Sequence, residues 1–66
     1  MIAPKFKPEV KLAGKDGNAF SIMARVSTGL REAGADEEYI ENYREKAMSG
    51  NYDDLLVISM GEINHV

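Results

Sequence analysis

A chain of 66 residues with net charge −3, 29% charged residues and no cysteine has room for one small domain and little else. At this length only roughly 60% of the unfolded surface is buried on folding, which argues against a deep catalytic cleft within one copy. The lack of cysteine excludes disulfide bridges and thiolate metal sites.

The longest apolar run, Leu55 to Ile58, falls far short of the roughly 20 residues that cross a bilayer. Met1 to Pro8 holds lysines and prolines and no apolar leader core. A cytoplasmic protein that makes no membrane contact is therefore expected. The charge is split along the chain. Residues 1–31 carry six cations against two acids, and residues 32–66 carry two cations against nine acids. Such halves can attract each other within a fold or across a dimer, or one half can meet an anion. A pI of about 5.0 argues against a nucleic-acid binder.

Taken in chain order, residues 1–8 read as an extended arm. Pro4 and Pro8 remove two amide donors and push their predecessors toward extended backbone. Phe6 could dock onto a core. Residues 9–66 read as one compact domain. Val10 to Ala13 alternates with the strand period, with Val10 and Leu12 on one face. Gly14 to Asn18 is turn chemistry. A helix follows, capped by Asp16 or Asn18, with Ala19, Ile22, Met23, Val26, Leu30 and Ala33 forming one apolar stripe. Ser21, Arg25, Thr28 and Glu32 lie opposite, and Phe20 flanks the stripe. Gly29 stands inside this helix, where it costs about 1 kcal/mol relative to alanine. Either another backbone comes close there or the cost is tolerated. Gly34 closes the helix in a left-handed conformation.

Asp36 then caps a second helix, and Glu37 and Glu38 suit its positive end. Ile40, Tyr43 and Ala47 form its apolar stripe, with Tyr39 and Met48 alongside. Asn51 caps a third helix, with Asp53 and Asp54 in its first turn. The run from Leu55 to Met60 also suits a buried strand, but the acidic cap favours a short helix ending at Gly61. Glu62 to Val66 reads as a closing strand with Ile63 inward. The fold expected is α+β, strand–helix–helix–helix–strand, with two short paired strands covered by three helices on one face. A two-stranded ribbon is marginal alone, so either the arm adds a third strand or a second copy does, and the open edge makes a homodimer the expected state.

Chemistry-bearing residues concentrate at the first turn. A strand, a glycine turn and a helix start place free amides together, with Lys11 and Lys15 nearby. Lys11, Lys15, Asp16, Gly17, Asn18, Ser21 and Arg25 are the candidate ligand-binding set, for a small phosphorylated molecule or nucleotide. The turn lacks the closing Gly-Lys-Ser/Thr of a Walker loop and the third glycine of a dinucleotide fingerprint. A structural turn needs the same residues. Asp16 to Asn18 also opens like a calcium loop, but the series fails at Phe20, and Ser27 stands where a glutamate is needed. No metal site and no cofactor are expected.

On the second helix, Glu37, Glu38, Glu41 and Glu45 form an acidic face that could meet a basic partner, mimic nucleic-acid phosphates or simply be solvated, with Glu38, Glu41 and Glu45 the candidate row for a protein partner. His65 is the one histidine, and no partner that would make it a general base is evident. Ser21, Arg25 and Asp16 could lie together beside the turn, but no nucleophile–base pair appears. An enzyme is not expected.

The block Val10-Lys-Leu-Ala-Gly-Lys-Asp-Gly-Asn-Ala-Phe-Ser-Ile-Met-Ala-Arg-Val26 resembles a group of short uncharacterised bacterial and phage-associated proteins. Ser49-Gly-Asn-Tyr-Asp-Asp-Leu-Leu56 is similar to the same group, so the likeness covers roughly residues 10–60. It implies a setting, a bacterial cytoplasm supplied by a prophage or mobile element, and no site residues. The function expected is a small binding module that modulates a protein partner.

Overall fold

The computed structural model describes residues 1–12 and 19–66. Strand β1 (Glu9–Val10) is followed by helices α1 (Ala19–Glu32), α2 (Glu37–Met48) and α3 (Tyr52–Glu62) and by strand β2 (Asn64–His65). The expected α+β order is the one observed. β1 and β2 pair in parallel, with Glu9 opposite Asn64 and Val10 opposite His65. The Asn64 amide donates to the Pro8 carbonyl at 2.9 Å and the Val66 amide to the Val10 carbonyl at 3.4 Å. Both strands are shorter than their patterns suggest. β1 begins one residue early and stops before Lys11, and β2 leaves out Glu62, Ile63 and Val66. The cap expected at Asp16 or Asn18 lies outside the described residues.

The core follows the stripes. Ile22, Met23, Val26 and Leu30 of α1 meet Ile40, Tyr43 and Ala47 of α2 and Leu55 of α3. Ala33, Ala35 and Ile63 are also buried. Asp36 caps α2 by accepting from the Tyr39 amide at 2.9 Å, and that bond holds its carboxyl below the usual range. Asn51 caps α3 in a reciprocal box with Asp54. Gly34 has φ 98°, the left-handed geometry that ends α1. Gly61 does not end α3, which runs on to Glu62. Its backbone is not left-handed, since among the described residues Gly34 alone has positive φ. What turns the chain out of α3 is Ile63, extended and buried in the core.

The arm is anchored by backbone bonds. The Lys5 amide donates to the Ala33 carbonyl at 2.8 Å, and the Asp36 amide donates to the Ile2 carbonyl at 3.1 Å. Pro8 is buried, while Phe6 stays exposed and does not dock.

Two tyrosines reach across the helices. The Tyr43 hydroxyl lies 2.7 Å from Ser59 Oγ in the buried centre. Tyr39 donates to Glu62 at 2.7 Å. Burial, with the Glu62 bond second, pushes the Tyr39 phenol up to about 12. A phenol whose folded value is raised binds its proton more tightly in the fold. Its contribution is therefore whole below pH 10 and is lost as pH climbs from about 10 to about 12. Urea midpoints for the wild type and Tyr39→Phe are expected to differ by a constant amount below pH 10, and that gap should shrink above it. An unchanging gap would contradict the assignment.

Candidate functional site

Two surfaces collect the residues singled out above. The first is a shallow groove of about 410 Å³ between β1 and the flank of α1. Lys11 and Arg25 both line it, together with Glu9 and Glu32, around a floor of Ala24, Thr28 and Gly29. The Arg25 guanidinium donates to the Lys11 carbonyl at 3.1 Å. α1 runs antiparallel to the chain beside it, since Ala33 meets Lys5, Gly29 meets Pro8 and Val10, and Arg25 meets Lys11. The groove therefore has an acidic end at Glu9 and Glu32 and a basic end at Lys11 and Arg25. Two carboxylates in the same groove oppose the binding of a phosphate there. Ser21 sits half-buried on α1 and does not line the groove. Lys15, Asp16, Gly17 and Asn18, on which the phosphate reading chiefly rests, lie outside the described residues.

The second surface runs along α2. Glu38, Glu41, Glu45 and Met48 follow one another at steps of three, four and three, so they share one face. Glu38 meets the Met1 amino group at 3.0 Å and Glu41 meets Arg44 at 3.7 Å. Both carboxylates remain well exposed. At the C-terminal end of the row, Met48 joins Phe20 and Tyr52 around an apolar depression of about 220 Å³ floored by Met23, Ala47 and Leu55. Met48 is 54% exposed, Phe20 69% and Tyr52 41%. The depression was missed from sequence, because its walls come from three helices. The available signal was Met48, an apolar residue continuing an acidic row.

His65 lies on β2, its ring Nε2 3.3 Å from the Leu12 carbonyl and exposed. Among the described residues no cluster of His, Asp or Glu is arranged to hold a metal ion. No described helix is long and apolar enough to cross a membrane. The chain matches no family model, no curated protein and no solved structure.

Proposed function

We propose that the protein is a small interaction module that captures a protein partner on the α2 face and modulates it. The observation that carries this reading is the joining of an acidic row to an apolar depression. Charge attracts and steers a partner but is screened in salt. Apolar anchors seated in a pocket supply most of the affinity in protein interfaces. The fitting partner is a basic segment carrying an apolar anchor side chain. In the bacterial, phage-associated setting that the sequence block suggests, the partner would be a host protein.

The test is affinity capture from the native cell with wild type, Glu41→Lys/Glu45→Lys and Met48→Ser, each checked for an unchanged circular-dichroism melt. A partner held by the wild type is expected to be lost or weakened about tenfold or more in both variants. Recovery of the same partner in equal amount from all three would overturn the proposal.

A further inference from the structure

The groove beside β1 borders the sheet edge that no described residue pairs along, and the pairing with β2 fixes which backbone groups face it. Pro8 and Val10 turn toward β2, as the bonds from Asn64 and Val66 show. By the alternation of a strand, the amides and carbonyls of Glu9 and Lys11 turn the other way, into the groove. Arg25 takes the Lys11 carbonyl. Among the described residues nothing pairs with the Glu9 carbonyl or the Lys11 amide.

In a parallel ladder one residue of an added strand donates to the carbonyl before its neighbour and accepts from the amide after it. With Val10 as that neighbour, the two groups needed are the Glu9 carbonyl and the Lys11 amide. The unused pair is thus the one a parallel strand takes. The side chains carry a matching polarity. Glu9 and Lys11 flank Val10 and, by the strand alternation, fall on one face, so an incoming strand reading basic, apolar, acidic places each charge beside its opposite.

We propose that this edge binds an extended peptide segment of a partner, added as a strand parallel to β1 with a Lys-Val-Glu type pattern. Addition of a strand to an exposed sheet edge is a general mode of peptide recognition, with main-chain bonds for affinity and side chains for selectivity. The small residues Ala24 and Thr28 leave room along the helix flank. A second copy fits worse. Antiparallel self-pairing would set two β1 strands about 4.8 Å apart. Each α1 lies directly under its own β1, where a Cβ on Gly29 would stand 2.8 Å from Val10 Cγ2. Two such helices need about 8–10 Å between axes. This proposal does not depend on the α2 surface, and either can fail alone.

The probe is a synthetic heptapeptide with Lys-Val-Glu at its centre and threonine and valine alternating around it, titrated into the full chain and followed by amide chemical shifts. Saturable shifts are expected at Glu9, Val10, Lys11 and Arg25. N-methylation of the central valine removes the donor to Glu9 and should weaken binding by about tenfold or more. The charge-swapped Glu-Val-Lys peptide should bind more weakly by a similar factor. Lys11→Pro removes the edge amide, and proline is tolerated on an outward-facing edge, so its fold should survive while binding falls. Absence of saturable shifts overturns the proposal, as does binding indifferent to N-methylation or to charge order. Concentration-dependent dimerisation abolished by Lys11→Pro would assign the edge to a second copy instead.

Discussion

A Gly29→Val variant is expected to lose about 3 kcal/mol or more, enough to unfold a large share of the molecules. The reason is a collision between two stiff groups. A Cβ on Gly29 would lie 2.8 Å from Val10 Cγ2 and 3.2 Å from Pro8 Cβ and Cγ. Neither neighbour is the far end of a flexible chain. One is a β-branched methyl and the other a proline ring, both held in place where residues 8–10 lie along α1. Gly29→Ala sets two effects against each other. It gains about 1 kcal/mol of helix propensity and loses about 1–3 kcal/mol to overpacking, so a net loss is expected. Gly61 supplies the opposite sign. It also lies within a helix, yet a Cβ there meets nothing within 4 Å. Gly61→Ala should therefore raise stability by about 0.5–1 kcal/mol. Urea unfolding of the alanine pair tests both at once. If both moved in the same direction, the close approach at Gly29 would not set its stability.

The buried pair of Tyr43 and Ser59 should behave as a unit. Ser59 is fully buried, and its hydroxyl and the Tyr43 hydroxyl are 2.7 Å apart. Burial raises the Tyr43 phenol above its ordinary value. Removing one partner strands the other away from water, which costs about 1–3 kcal/mol. Ser59→Ala and Tyr43→Phe are each expected to lose that much. The double variant removes both polar groups and should lie closer to the wild type than the sum of the singles, with a coupling of about 1–2 kcal/mol. A thermodynamic cycle measured by denaturant unfolding reads the coupling directly, and an additive result would show that the hydroxyls do not depend on each other. In a domain of this length, where the core supplies roughly 3–5 kcal/mol, either single change removes a large part of the margin.

What could be read from the residues was what local chemistry encodes. Asp36 and Asn51 announce helix starts because a short side-chain oxygen meets a free amide within one turn. Gly34 announces an end because few other residues adopt its φ. The stripe from Ile22 to Leu30 names the buried face of α1. Gly61 misled because a glycine ends a helix only when its backbone turns left-handed, and here an extended Ile63 drawn into the core sets the boundary. The bonds of the arm at Ile2 and Lys5 use a carbonyl and an amide that leave no mark on side-chain pattern, since any residue but proline carries both. Phe6, the arm's aromatic residue that could have docked, instead faces solvent. The Tyr39–Glu62 and Tyr43–Ser59 pairs join positions far apart in sequence, which no periodicity reports. At the candidate sites, the acidic row on α2 was legible from its spacing. That Lys11 and Arg25 share a groove with Glu9 and Glu32 required the strand and helix to be seen side by side.

The parallel pairing of Glu9 with Asn64 also bears on the order in which the molecule assembles. The two strands are separated by all three helices, so their union closes a loop of nearly the whole chain. The contacts between successive helices close much shorter loops, and the entropy of closure grows with loop length. The helical hairpins can thus form first, and the strands meet once α1 and α3 have brought their ends together. The sheet then acts as a latch on a helical frame. A latch that forms last contributes little to the folding barrier and mainly slows unfolding. The residence time of the native state, more than the speed of reaching it, is what these few strand residues govern.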